Sequence, residues 1–486
     1  MRLIAALALF TGWRGTAATQ ETVPGPAWRY VLLNGSYLLD DCPICGRPSI
    51  QEPMRGTFDL RLVETTPLSS RYSMENINFT AGTSRTYTVN GSGEFVNGGE
   101  VVIIQEMSLE VDIDDGNAKK ACELKSESAP PGRPLPMMDI AVEQTNGTFT
   151  QTYSLRLTAA PVRDLWFSTT SFFTAGAGDE ASSMILGGDL ISASGRIVKR
   201  NRDFYTSVGA TPPGPDLGLD AVDVLPGGEF AFSLDSGFPM TNVGPIYHGD
   251  LLSTKGRVIH RNQELMPAFG VQPPAPDVGL DAVHVLDSGE VLFSIESDIF
   301  SEKLGTFLRR GDLLSSTGTV VRTHQKLLEK LHPPSASTDY GLDALYQWPT
   351  GEIWFSTEQP FSDSELGPIA AGDLLSDQGY LVFHNPELLT AFAPVQATPD
   401  FGLDALFIVT DATAPPAGAQ LNMAIKAGTP DLTLTWQGPG RVFQIERATT
   451  LTDPFLPVSP IIPDLSWNEV SALNLRPRAF YRLRQW

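Results

Sequence analysis

Hydrophobic and polar positions alternate with period two along much of the first third of the chain. Phe58, Leu60 and Leu62 are separated by Asp59 and Arg61, and Met107, Leu109, Val111 and Ile113 by Ser108, Glu110 and Asp112. Tyr153, Leu155 and Leu157 repeat the habit. Such alternation turns one face of an extended segment to a core and the other to water, as in half-buried antiparallel strands. Residues 26–160 are therefore expected to form a β-sandwich or barrel, with the Pro-rich "KSESAPPGRPLP" at 125–136 as a loop inside it. Beyond this region the apolar runs become short and are divided by turn signals. In "GLDALYQWPTGEIWFSTE" two strand-like runs flank "PTG", where Gly351 is free to take positive φ.

That stretch belongs to a repeat. Gly-Leu-Asp-Ala begins at 218, 279, 341 and 402, at intervals of 61, 62 and 61, with Asp216, Asp277, Asp339 and Asp400 two residues before each Gly. Gly-Asp-Leu-[Leu/Ile]-Ser begins at Gly188, Gly249, Gly311 and Gly372, at the same intervals. An aromatic or aliphatic run ending in Phe-Ser closes at Ser168, Ser233, Ser294 and Ser356. Each unit reads as four short strands with Gly-centred turns plus one helical turn, the pattern of a propeller blade or sandwich sheet. The array, 164–410, opens on "DLWFS" with no Gly-Leu-Asp-Ala before it, and ends on "FGLDALFIV" with no Phe-Ser strand after it. Pairing the last copy with the first closes a ring of four units and removes exposed edges. The competing arrangement is an open array or sandwich.

The runs "LDAV…GGEFAFS", "LDAV…SGEVLFS" and "LDAL…TGEIWFS" are similar to the start of hemopexin-type blades, over about 15 residues of each unit. The resemblance implies a four-bladed β-propeller whose Asp-Ala strands line a central channel able to hold ions. Gly-Asp-Leu-Leu-Ser departs from that family's aromatic third strand, and no Cys is placed to clasp the first and last blades. The resemblance bears on architecture and carries over no activity.

Because catalysis needs a group once and Asp220, Asp281, Asp343 and Asp404 recur in every unit, they are expected to serve each unit structurally, accepting backbone N–H bonds beside the turn. Their alternative role is a shared cation site, for which hard carboxylate oxygens suit structural calcium. The Gly-Asp carboxylates, Asp189, Asp250, Asp312 and Asp373, are expected to be fasteners too. Binding residues are sought where the copies disagree: the loops 169–187, 234–248, 295–310 and 357–371. Phe172, Phe173, Phe238, Tyr247 and Phe300 would stack on a ligand there, or pack between units. His248 and His324 interrupt the repeat, and His248 joins the aromatic residues as a candidate ligand contact. No Ser-His-Asp spacing, His metal-ligand pair, phosphate loop or dinucleotide motif stands out, so no catalytic residue is assigned.

The ends and the composition set the context. "MRLIAALALFTGWRGTAATQ" has a positive start, an apolar stretch and small residues, and residues 1–18 read as a secretory signal peptide. No later run is long enough to span a bilayer. A formal net charge of −22 opposes nucleic acid and anionic membranes. Of the three cysteines, Cys42, Cys45 and Cys122, the first two form "CPICG". Asp40 and Asp41 precede that pair and would disfavour a thiolate, and a fourth zinc ligand is lacking. A structural disulfide in an oxidising compartment fits best, its pairing undetermined. Residues 411–420 read as a linker. In 421–486, "LTLTWQGPGRVFQIERATTLTDPFLPV" and the terminal "RAFYRLRQW" resemble a small fibronectin type III-like sandwich of secreted bacterial proteins.

The expected molecule is thus an all-β protein with an N-terminal β-sandwich or barrel, a central four-repeat β-propeller and a small C-terminal β-sandwich. It would be secreted, periplasmic or cell-surface, and would bind a protein or glycan through its variable loops without a cofactor beyond structural calcium. The alternative is a propeller hydrolase or lyase acting on polysaccharide.

Overall fold

The computed structural model describes residues 27–470 and 479–486, apart from 84, 213, 215, 414–416 and 426–430. The signal-peptide reading of 1–18 lies outside the described residues. The described chain is β-rich, with only short helical turns between antiparallel sheets.

The N-terminal region forms β1 (Trp28–Leu32), β2 (Tyr37–Asp41), β3 (Ile50–Thr65), β4 (Ser69–Ala81), β5 (Tyr87–Gly98), β6 (Ile104–Asp114), β7 (Lys119–Lys125), β8 (Met138–Gln144) and β9 (Thr152–Ala160). They make one nine-stranded sheet. β3 pairs with β1, β2 and β4, and β9 with β1, β2 and β8, so the strands return on themselves as a ring. The ring is uneven: β5 and β6 pair along eleven residues, whereas β7 and β8 share two residue pairs. The period-two residues fill its interior, including Phe58, Leu60, Met107, Leu109, Tyr153 and Leu155. Leu62 departs from the expectation and is 39% exposed. β3 pairs β1 only from Thr57 to Leu60 and continues beyond it beside β4 alone, so Leu62 has no interior to face. Cys42 and Cys45 form the disulfide, and Cys122 is a buried free thiol.

The repeats form four four-stranded antiparallel sheets. The first joins Arg196–Lys199, Leu190–Ser192, Val162–Phe167 and Leu406–Thr410. The second runs Val222–Leu225, Glu229–Phe232, Leu251–Ser253 and Arg257–His260; the third, Val283–Val285, Val291–Phe293, Leu313–Ser315 and Thr319–Arg322; the fourth, Leu345–Gln347, Ile353–Phe355, Leu374–Ser376 and Tyr380–Phe383. In the first sheet the strand from the last repeat pairs with the strand that opens the array, Leu165 opposite Ile408. The strands following each Gly-Leu-Asp-Ala lie side by side in a cycle of four.

The repeated residues fasten this arrangement. Ser168, Ser233, Ser294 and Ser356 each donate their hydroxyl at 2.8–2.9 Å to the carbonyl of the Leu in the next Gly-Leu-Asp-Ala, Leu219, Leu280, Leu342 and Leu403. The fourth bond returns to the first sheet. Asp189, Asp250, Asp312 and Asp373 accept two backbone N–H bonds each, one from the preceding turn and one from the start of the helical turn. Asp216, Asp277, Asp339 and Asp400 accept from the Gly of both motifs. The buried Gly-Asp carboxylates also have a basic side chain beside them, Arg200 on Asp189 (2.7 Å), Arg261 on Asp250 (2.6 Å), His324 near Asp312 and His384 near Asp373 (3.2 Å each), so amides and a counter-charge satisfy them together.

Three of the variable segments are hairpins rather than irregular loops: Phe173–Thr174 with Met184–Ile185, Ile299–Ser301 with Thr306–Leu308, and Phe361–Asp363 with Gly367–Ile369. At the C-terminus, Gln420–Ile425, Leu432–Gln437 and Ser466–Glu469 form one sheet, and Leu456–Pro457, Phe443–Ala448 and Phe480–Gln485 another, with Leu434, Trp436, Phe443 and Ile445 in a shared core. Asp411, expected to head a linker, is buried. It accepts from Arg29 N (3.0 Å), Arg163 Nε (2.7 Å), Arg484 Nη2 (2.6 Å) and Trp486 Nε1 (2.8 Å), so one carboxylate joins all three regions.

Candidate functional site

The two ends of the four-sheet cycle differ. At one end lie the turns joining the first two strands of the second, third and fourth sheets, and Arg441 of the C-terminal region inserts there. Its guanidinium reaches Asp223 Oδ1 (3.3 Å), Asp287 Oδ1 (2.9 Å) and the carbonyls of Val224 and Val285. A cavity of about 490 Å³ remains, lined by Tyr346, Trp348, Phe407 and Trp486 among others. At the other end the Gly-Leu-Asp-Ala segments meet the starts of the variable loops around a cavity of about 460 Å³.

This second cavity is acidic. Asp216, Asp220, Asp235, Asp343, Asp404 and Glu358 line it, with Thr170 and Gly187. Gly218, Gly279, Gly341 and Gly402 take φ of 72–77°, a region that disfavours side chains. A Cβ on Gly218 would also lie 2.5 Å from Asp235 Cβ, and on Gly402 it would strike Thr170. Glycine therefore turns the chain and admits a second tier of side chains: Thr170, Asp235, Glu296 and Glu358, each two residues after its Phe-Ser serine.

The first tier is the set of axial aspartates. Asp220, Asp281 and Asp343 are 8–9% exposed. The expected backbone N–H bonds to them are not formed: among the described residues only Asp404 has a side-chain partner, the Thr170 hydroxyl at 2.6 Å. Asp220 Oδ2 and Asp281 Oδ2 are buried without one. The fastening expected of these residues falls instead to the Phe-Ser hydroxyls and to the Asp two residues before each Gly, because the axial carboxylates point where no backbone N–H is available. Burial pushes Asp220, Asp281 and Asp343 well above the usual carboxylate range, and the neighbouring acids push the same way. Asp404 is raised to about 6 by burial, against the opposing Thr170 bond and with Asp235 and Asp216 adding to the rise. Among the described residues no three His, Cys, Asp or Glu side chains are grouped as a metal site.

The loop residues divide. Phe173 is fully buried between Phe392 and Phe401, which corrects its assignment as a ligand contact. Phe238 is partly buried against the core of the second sheet. Phe172, Tyr247 and Phe300 are exposed, Phe300 edge-on to Phe307. His248 is exposed and lies 3.6 Å from Glu296. His324 sits 3.2 Å from Asp312, in the structural place of an Asn. Sequence reasoning missed Thr170, Asp235, Glu296, Glu358 and Gly187; their signal was a fixed offset from the repeated motifs. No protein-family model and no curated protein matches the chain.

Proposed function

We propose that the protein is a secreted or cell-surface, non-enzymatic binding protein. Its centre is read as a closed four-bladed β-propeller that presents the variable segments and the acidic mouth to a protein or glycan, while the C-terminal fibronectin type III-like module covers the opposite end. The observation that carries this reading is the difference between the ends. The unrepeated segments and the 460 Å³ cavity share one end, and Arg441 and Trp486 occupy the other. A rigid scaffold with its variable residues gathered at one end is a common basis for recognition. The exposed rings of Phe172, Tyr247 and Phe300 supply apolar contact there. That among the described residues no helix is long and apolar enough to cross a membrane is compatible with this setting. The test is a glycan-array and pull-down screen of the full chain beside a variant carrying all four variable segments replaced. Binding lost in the variant supports the reading; binding that survives defeats it.

Structural calcium is the second occupant to consider for the axial ring, since Asp220 and Asp281 each hold an oxygen without a partner. A hydrolase or lyase reading rests on Asp404, raised to about 6, beside Asp235 in an open cavity, one acid near neutrality and one exposed. Hydrolysis of a polysaccharide that is abolished by Asp404→Asn would favour it over binding alone.

A further inference from the structure

The acidic mouth departs from its own repeat in one informative place. In two units the residue just before Gly-Asp lies beside the second-tier residue of the next unit. His248 stands 3.6 Å from Glu296, and Arg310 Nη1 donates to Glu358 Oε2 at 2.8 Å. In these two places the chain supplies a cationic or cation-forming side chain to its own acid. The equivalent of His248 and Arg310 in the first unit is Gly187, and the acid it should meet is Asp235. Gly187 has nothing to offer, and Asp235 forms no hydrogen bond or ion pair among the described residues. In the remaining place the equivalent residues are Ala371 and Thr170, so neither charge is present. Asp235 is thus the one second-tier acid without a partner.

The cavity lies where that partner is missing. Gly187 and Asp235 both line it, with Asp216, Asp220, Asp343 and Asp404 and with Glu358, whose charge Arg310 already meets. Asp220 is 9% exposed and its Oδ2 has no hydrogen-bond partner, so an acceptor is already desolvated at the wall of the cavity. Resting on the reading of this end as the binding face, we propose that the mouth receives an alkylammonium or alkylguanidinium group from outside, which pairs with Asp235 in the place that Arg310 takes beside Glu358. The group stands on a flexible stem, and the volume of about 460 Å³ holds stem and head together. Lysine or arginine of a partner protein presents this chemistry, and so does a free polyamine.

The test is calorimetric titration of the full chain at low ionic strength with agmatine, spermidine, a short peptide carrying one arginine, and calcium chloride. Asp235→Asn and Glu296→Gln serve as the variants. The expected result is binding of agmatine by the wild type, weakened at least about tenfold by Asp235→Asn, as for loss of a charged partner, and little changed by Glu296→Gln. A peptide that binds more tightly than agmatine assigns the group to a partner protein, and tighter spermidine assigns it to a polyamine; either supports the site. Absence of amine binding, equal binding by Asp235→Asn, or binding of calcium alone overturns it. Circular dichroism of both variants excludes unfolding as the cause. If segment replacement abolishes capture of a surface ligand while agmatine does not bind, this proposal fails and the binding-face reading stands.

Discussion

Replacing Asp404 by asparagine removes one charge from the axial ring at almost constant shape, and asparagine Oδ1 can still accept the Thr170 hydroxyl. Asp404 is raised from 3.8 to about 6, chiefly by burial. Below pH 3.8 the carboxyl is protonated in the folded and unfolded chain and contributes nothing. As pH rises through the folded value, the unfolded chain has already lost its proton and the folded chain resists losing it. Stability is therefore lost between about pH 4 and pH 6, and the deficit stays constant above that. The rise from 3.8 to about 6 corresponds to about 3 kcal/mol. Asp404→Asn is thus expected to be more stable than wild type by up to about 3 kcal/mol at pH 7.5, and to show little gain at pH 3.5. Urea unfolding followed by tryptophan fluorescence, with amines and divalent ions excluded, measures both. A gain independent of pH would refute the reasoning, and so would a larger loss at pH 7.5 than at pH 3.5.

Other consequences are testable in the same way. Ser294→Ala leaves the buried Leu342 carbonyl without its 2.8 Å bond and should cost about 1–3 kcal/mol in denaturant unfolding. An unchanged midpoint would remove these serines from the closure of the ring. Arg441→Met takes the guanidinium from Asp223, which is 1% exposed and keeps only the Val224 and Val285 amides and His284, and should cost about 1–3 kcal/mol and speed proteolytic release of the C-terminal module. Phe173→Ala should cost about 3–5 kcal/mol through the cavity it leaves, whereas Phe172→Ala, at an exposed position, should change stability by no more than about 0.5 kcal/mol. If calcium occupies the axial ring, melting temperature rises with calcium and falls with chelator; no shift argues against that occupant.

The strands were legible because their landmarks recur at a fixed interval, and the joining of Leu406–Thr410 to Val162–Phe167 was legible from what each end of the array lacks. The roles within the repeat were less so. The sequence points to Asp343 as the turn fastener, yet Asp339 accepts the glycine amides and Ser356 ties one sheet to the next. Proximity in sequence favoured Asp343, whereas the serine bond spans 47 residues and crosses a sheet boundary. The mouth was hidden for a related reason. Gly187, His248 and Arg310 are visibly unlike, but their meaning depends on an acid in the following unit. Leu62 kept the period of a core strand after its neighbour β1 had ended. Phe173 sits in a variable segment, yet its hairpin folds it inward onto Phe392 and Phe401.

The most direct measurement is hydrogen–deuterium exchange of the full chain with and without the ligand captured in the binding screen. Protection at 169–187, 234–248, 295–310 and 357–371, with none at the turns around Gly227, Gly289 and Gly351, is the predicted result. Protection confined to those turns and to Arg441 would place the binding face at the opposite end and contradict the account.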